Sequence, residues 1–223
     1  MKSIALFIAL LLALLALPML LPSVPGQRPD ANPVTLPWQI ERLPDGGSRV
    51  FGLTLGRSTL EEARQQLGGD VQVALIVAQG ETGSLEAYCE SIDAGAVKGK
   101  LVLTLETSLA QREQMLARAR KVDYMQSAAR RVELGAEDLR QADRAPIIAI
   151  TFIPAANLDE QVVLQRFGVP GERLRSGEHK EHFLYPELGL DLQLDAKGKE
   201  VLQYVAPRDF ARLRAPLAPA STR

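Results

Sequence analysis

The feature that most constrains the fold is an internal repeat, in which similar stretches follow each other about 100 residues apart. Each copy begins with a short amphipathic segment that ends in glycine, 56–68 in the first copy and 157–168 in the second. Three features recur in the same order, namely a glycine (Gly68 and Gly168), a tyrosine (Tyr88 and Tyr185) and a Lys-Gly-Lys triplet (98–100 and 197–199). This agreement in order and spacing indicates a duplicated structural unit.

Each unit is predicted to be a short helix followed by antiparallel strands. Ser58 and Asn157 are the predicted N-caps, because their side-chain oxygens can accept hydrogen bonds from the first helical turn. Gly68 and Gly168 are predicted to end the helices, where a positive φ is favoured. Alternating apolar and polar residues predict strands at 71–78, 85–92 and 101–105 in the first unit, and at 190–194 and 201–205 in the second.

The segment between the units is predicted to be largely helical. A helix over 108–126 aligns an apolar stripe of Met115, Leu116, Ala119, Val122 and Met125. A segment at 131–134 and a helical turn at 137–141 follow, and Ile147–Ile153 is a predicted strand closed by Pro154. The basic residues within 112–131 are interpreted as a solvated helix face, or alternatively as a contact for anionic lipid headgroups or an acidic partner.

The predicted fold class is therefore α+β. It consists of two tandem related units, each a short helix followed by a small antiparallel sheet, with an extra helix between them and an N-terminal apolar helix. The predicted organisation is a signal peptide or N-terminal membrane anchor (1–24), a proline-rich linker (25–47), the first unit (48–106), a helical connection (107–145), the second unit (146–206) and a flexible tail (207–223).

The N-terminus indicates export. Lys2 precedes an uncharged apolar run over residues 4–21, and prolines and a glycine follow it. Such a run is either a cleaved signal peptide or a helix through residues 4–22 that anchors the chain in the inner membrane. Both alternatives place the rest of the chain in the periplasm, because the cationic start stays in the cytoplasm.

Two single residues leave alternatives open. Trp38, the only tryptophan, lies near the end of the linker and either packs on the edge of the domain or marks a partner site. Cys89, the only cysteine, cannot form an intramolecular disulfide. Its place in an alternating stretch predicts a small packed core residue, the alternative being a reactive or intermolecular thiol.

The repeat also resembles a known family, the SmpA/OmlA (BamE) lipoproteins of outer-membrane assembly, and the related β-lactamase-inhibitor-like fold of tandem helix-plus-sheet units. The resemblance covers roughly 50–206, and the residues that carry it are Gly56, Ser58, Leu67 and Gly68 in the first unit and Phe167, Gly168, Pro170, Tyr185, Asp195 and Gly198 in the second. It implies a protein that binds other proteins through its sheet face and edges.

The residue inventory argues against several chemistries. A net charge of −1 and an aromatic content of 5% do not suit a nucleic-acid-binding protein. His179 and His182 are interpreted as part of an exposed polar strand that points them to opposite faces, which disfavours a shared metal. A hydrolase that uses these histidines, or Cys89 with one of them, is a minor alternative. The sequence therefore predicts no metal, no cofactor and no enzyme.

The leading functional prediction is a non-enzymatic envelope protein that binds another envelope protein as an adaptor or assembly module. Trp38, Tyr88 and Tyr185 are the candidate contact residues, since their rings are amphipathic. Tyr88 and Tyr185 equally suit core positions of the repeat, and that interpretation is favoured. The alternative function is a periplasmic small-ligand or lipid binder that uses the groove between the two units.

Overall fold

One large antiparallel sheet organises the chain. The computed structural model describes residues 34–217 apart from 69, 96 and 126. Within them, ten strands pair in the order β10-β11-β12-β13-β9-β6-β5-β4-β8-β7, and three short strands form a separate sheet in the order β1-β2-β3. The small sheet consists of β1 (Glu41–Arg42), β2 (Ser48–Val50) and β3 (Leu53–Thr54).

The large sheet takes strands from both predicted units. Its strands are β4 (Val71–Val77), β5 (Ser84–Ala94), β6 (Val97–Leu105), β7 (Lys121–Tyr124), β8 (Arg130–Glu133), β9 (Ile147–Pro154), β10 (Glu172–Ser176), β11 (Lys180–Tyr185), β12 (Leu190–Asp195) and β13 (Val201–Val205). The described helices are α1 (Leu60–Leu67), α2 (Leu109–Ala117), α3 (Ala136–Asp143), α4 (Glu160–Phe167) and α5 (Ala211–Arg214). Short 3-10 turns occupy Pro186–Leu188, Pro207–Asp209 and Ala215–Leu217.

The prediction of two small sheets is wrong, because the strands of both units belong to one continuous sheet. Strand β9 pairs with β6 of the first unit on one side and with β13 of the second on the other. The fold class is therefore predominantly β with short helices, and it is not a tandem array of helix-plus-sheet units. The reason is that an apolar β9 gains hydrogen-bond partners and burial on both edges only in the middle of a sheet.

The core lies on one face of this sheet, and the helices cover it. Along β6, Leu101, Leu103 and Leu105 are buried, whereas the alternate residues Val102 and Thr104 are half-buried. Helices α1, α2, α3 and α4 each insert residues into the same apolar core, and these are Leu60 and Ala63, Met115, Ala142, and Val163 respectively. The small sheet contributes as well, since Phe51, between β2 and β3, packs on Phe152 and Tyr204. One face is thus covered by the helices together with the small sheet.

The repeat is real at the helix ends but does not extend through the strands. Gly68 and Gly168 both end helices with positive φ, as predicted. Tyr88 lies 20 residues after the first glycine and Tyr185 lies 17 after the second, so their positions differ by an odd number of residues. The strand registers place the two tyrosines on opposite faces of the sheet, since Tyr88 pairs with the half-buried Val102 and Tyr185 pairs with the buried Leu190.

The two Lys-Gly-Lys triplets are also not equivalent. Gly99 lies within strand β6 opposite Pro154, whereas Gly198 lies in the turn after β12. The first triplet therefore lies in a strand and the second in a hairpin turn, although both recur at the same place in the repeat. A Cβ on Gly99 would lie 2.4 Å from the Phe152 ring, so this glycine lets the ring pack directly against the backbone.

The predicted helix over 108–126 is only partly present. Ser108 caps α2, but α2 ends at Ala117 and residues 121–124 form strand β7. The stripe therefore breaks, and Val122 and Met125 are exposed. Arg118 ends the helix and its guanidinium binds the buried carboxylate of Asp138 on α3.

Several local predictions are confirmed and others are shifted. The predicted strands at 71–78, 85–92, 101–105, 147–153, 190–194 and 201–205 correspond to β4, β5, β6, β9, β12 and β13, and the helical turn at 137–141 lies within α3. The N-caps are Thr59 and Asp159 rather than Ser58 and Asn157. The predicted N-terminal apolar helix lies outside the described residues. No helix within the described part of the chain is long and apolar enough to cross a membrane.

The close approach at Gly99 generates a test of the core. Gly99→Ala forces the Phe152 ring to shift, so we expect the free energy of unfolding to fall by about 1–3 kcal/mol. The matched control is Gly198→Ala, whose added methyl has the exposed turn's Asp195 side chain, rather than a core ring, as its nearest neighbour. Denaturation by urea, followed by circular dichroism, measures both. Equal losses in the two variants would contradict the assigned packing.

Candidate functional site

The face of the large sheet opposite the helices carries the candidate site. Its central side chains are half-buried and come from neighbouring strands in register: Val102 of β6 pairs with Tyr88 of β5 and with Thr151 of β9. We call this surface the open face, and it comprises Glu86, Tyr88, Val102, Thr104, Ala149, Thr151, Ile153 and Gln203. These side chains alternate with the buried core residues along each strand, so strand geometry alone fixes their direction.

A polar cluster borders the open face. The Tyr88 hydroxyl donates a hydrogen bond to Glu90, and Lys100 Nζ lies 2.7 Å from Glu90 Oε1. The hydrogen bond to Glu90 raises the pKa of Tyr88, and the hydrogen bond from Lys100 lowers the pKa of Glu90. The same bond raises the pKa of Lys100. At neutral pH the cluster therefore presents a neutral phenol beside a charged carboxylate–ammonium pair.

A buried His–Asp pair lies on the same side of the sheet at its β11–β12 end. His182 Nδ1 is 3.0 Å from both carboxylate oxygens of Asp191, and both residues are buried. The prediction of an exposed strand is thus wrong for His182. Leu184 and Val205, which lie on the same face, are buried as well, so this end of the face is not part of the exposed surface.

The C-terminal segment returns towards the same end of the sheet. Arg214 of α5 binds both oxygens of Glu172 on β10, each at 2.9 Å, and Arg208 donates its backbone N–H to the carbonyl of Gly46. Phe210 lies between these two attachments and is buried. The residues after β13 are therefore bound to the domain as far as Arg214.

The structure separates the three predicted contact residues. Tyr88 lies on the open face, whereas Trp38 and Tyr185 lie at helix α4, on the covered side. The Arg166 guanidinium stands 4.6 Å from the centre of the Trp38 ring. Tyr185 is buried, and its hydroxyl donates a 3.0 Å hydrogen bond to the carbonyl of Gly168.

The residues considered for catalysis do not come together. Cys89 is buried on the helix-covered face, as predicted for a core residue, and His182 lies on the opposite face. His179 lies in the turn before β11, with Nε2 3.7 Å from Glu178. Among the described residues, no group of three histidine, cysteine or acidic side chains is arranged to hold a metal ion.

Sequence reasoning did not predict either polar group on this side of the sheet, the Tyr88–Glu90–Lys100 cluster or the His182–Asp191 pair. Asp191 stands between Leu190 and Leu192 in an alternating strand, which places it on the face away from the core. The same alternation places His182 opposite to Phe183. These patterns fix the faces, but the pairing of His182 with Asp191 depends on the register between β11 and β12, which the sequence does not specify.

Burial raises the pKa of the Cys89 thiol to about 11, which generates a labelling prediction. Since the thiolate is the nucleophile, alkylation of the folded chain at pH 8 is expected to be more than about 100-fold slower than that of the unfolded chain, where the pKa is about 8.5. Labelling with iodoacetamide, with and without urea, measures the ratio. Rapid labelling of the folded protein would exclude a buried thiol.

The buried His–Asp pair predicts a characteristic order of stabilities. His182→Leu leaves the Asp191 carboxylate buried without its partner, and is expected to lower the free energy of unfolding by about 3–5 kcal/mol. The double variant His182→Leu/Asp191→Leu removes both polar groups and should be more stable than the single variant. Urea denaturation of both proteins tests this order. If the double variant is less stable than His182→Leu, Asp191 must have stabilising contacts other than His182.

Comparisons with known proteins identify no relative of this chain. No family model matches the chain, and no match is found among the curated proteins or the solved structures. The resemblance to the SmpA/OmlA lipoproteins and to the β-lactamase-inhibitor-like fold therefore stays a prediction.

Proposed function

We propose that this chain is a non-enzymatic protein-binding module of the cell envelope, and that a partner protein binds to the open face. The observation that carries the proposal is the one-sided arrangement of the sheet. Helices α1–α4 insert into the core on one face, while the middle of the other face keeps its side chains half-exposed. A broad sheet surface left without a helical layer is a surface that another protein can cover.

The composition of the open face suits a protein partner. Val102 and Ile153 supply aliphatic area, Thr104 and Thr151 supply hydroxyl groups, and Tyr88 supplies an aromatic ring with a polar end. Mixed apolar and polar groups of this kind, with an aromatic residue among them, are typical of protein–protein interfaces. The central strands are paired on both sides, so the surface is rigid and a partner orders few residues when it binds.

The ligand-binding alternative has less support. A pocket for a lipid or small molecule is expected to be a largely apolar cavity of several hundred Å³. The apolar depression beside Trp38 has a volume of about 10 Å³, which is too small for such a ligand. A depression of about 310 Å³ near α2 and α3 is larger, but polar and charged side chains such as Glu106, Gln111 and Arg144 line it. Two wider depressions of about 590 and 500 Å³ are also lined largely by polar and charged side chains, such as Arg131 in the first and Glu181 in the second.

The envelope location in this proposal rests on the apolar run over residues 4–21. If the run is an anchor, the inner membrane holds the chain and the described residues face the periplasm. If it is a cleaved signal, the same residues are free in the periplasm. A partner from the envelope suits both cases.

Site-specific photo-crosslinking in the living cell tests the proposal. The full chain would carry a photoreactive phenylalanine analogue at Val102 or Thr151, both on the open face. Irradiation is expected to yield one predominant crosslinked protein, identified by mass spectrometry. Tyr88→Ala should reduce the yield severalfold, because truncation of an aromatic contact at an interface typically costs about 1 kcal/mol or more.

The control is the same analogue at Gln65, which is exposed on helix α1 on the opposite side of the domain. This position is expected to give no predominant product. Equal products from Gln65 and Val102, or none from either open-face position, would show that the open face is not the binding surface.

A further inference from the structure

The last strand of the large sheet leaves its outer edge unpaired among the described residues. Within residues 34–217 as described, strand β7 pairs only with β8, and all four residues of β7 are exposed. Val122 and Tyr124 are 41% and 79% exposed, so the strand presents two large side chains to solvent. The opposite edge strand, β10, differs because α5 is attached to it through Arg214 and Glu172.

The backbone of β7 fixes which residues can pair with a further strand. The N–H of Met125 donates a hydrogen bond to the carbonyl of Ala129, just before β8. This bond continues the register that pairs Lys121 with Glu133, so Lys121, Asp123 and Met125 direct their backbone groups towards β8. Antiparallel strands alternate their hydrogen-bonding direction from one residue to the next. Val122 and Tyr124 therefore direct their N–H and C=O groups outwards, and only these can form hydrogen-bonded pairs with an added strand.

A second copy of β7 can form these hydrogen bonds, and in one register it also places opposite charges across from each other. When Val122 pairs with Val122 of the other copy, Lys121 stands opposite Asp123 of that copy, and the reverse pair forms as well. Shifting the centre of the pairing to Asp123 brings the two acidic side chains face to face. Opposite charges across strands stabilise a sheet, and like charges destabilise it.

The match extends to the strands behind β7. Lys121 pairs with Glu133 of β8, and Asp123 pairs with Arg131. The Val122-centred register thus creates a row of alternating charges on one face, running from Glu133 and Lys121 of one copy to Asp123 and Arg131 of the other. On the other face, Val122 pairs with the buried Val132, so four valines of the two copies form a continuous apolar row.

We propose that two copies of this chain associate through their β7 edges, in antiparallel register centred on Val122. The interface is isologous, because each copy contributes the same strand. It goes beyond the proposed function, since it uses the edge of the sheet and leaves the open face free. Four-residue strands bury little area, so the association is weak and depends on the local concentration of the chain.

Disulfide trapping of the full chain in its host cells tests the register. In a hydrogen-bonded antiparallel pair the Cα atoms are about 5.5 Å apart, which is within reach of a disulfide. Val122→Cys is therefore expected to form a disulfide-linked dimer when the cells are oxidised with copper phenanthroline. The unmodified chain, which carries only the buried Cys89, should stay monomeric on a non-reducing gel.

The matched control is Tyr124→Cys, in the same strand and more exposed. In the proposed register the Cα atoms of the two copies of residue 124 are about 14 Å apart, too far for a disulfide. We expect at least about tenfold more dimer from Val122→Cys. Equal yields would indicate random collision and overturn the proposal, as would no dimer, or a disulfide to a different protein, from Val122→Cys.

Charge variants test the same interface without relying on one substitution. Both charge variants also carry Val122→Cys. Asp123→Lys places a lysine opposite Lys121 of the other copy, and Lys121→Asp places an aspartate opposite Asp123. Each variant alone should therefore lose most of its dimer. Co-expression of the two, with different tags, restores opposite charges and should restore a mixed dimer. Persistent dimers in both single variants would overturn the register.

Discussion

The pairing of β6 with β9 is the interaction on which the rest of the structure depends. Its register sets Leu101 opposite Phe152 and Leu103 opposite Ile150, so the buried row of one strand continues in the next. This continuity joins the strands before and after the helical connection into one sheet and gives them a single core. It also determines the opposite face, because the residues between the buried ones meet as Val102, Thr151 and their neighbours.

The local elements could be predicted because their signals are local. Alternation defined β12 and β13, and Gly68 and Gly168 marked the ends of their helices. The joining of the sheet could not be predicted, since the pairing of β6 with β9 links segments far apart along the chain and many strands share the same alternation. The helix expected over 108–126 failed because Val122 and Met125 fit a helical stripe, while Val122 and Tyr124 equally favour a strand.

The candidate site was predictable only in part. Tyr88 was among the expected contact residues, but similar sequence context grouped it with Tyr185, and the strand registers place the two on opposite faces. The His182–Asp191 pair and the Tyr88–Glu90–Lys100 cluster arise from contacts that depend on register or on a bulge in β5 between Cys89 and Ile92. Amino-acid composition predicts neither the pair nor the cluster, because it does not say which residues share a face of the sheet.

Trp38 has a practical consequence beyond its packing. It lies near the beginning of the described residues, which start at Val34. Its ring is held beneath the Arg166 guanidinium of helix α4. As the chain contains no other tryptophan, its intrinsic fluorescence comes from this one position. The emission wavelength therefore reports whether the segment entering the domain is docked on α4, and it provides an optical signal for detachment of that segment without any added label.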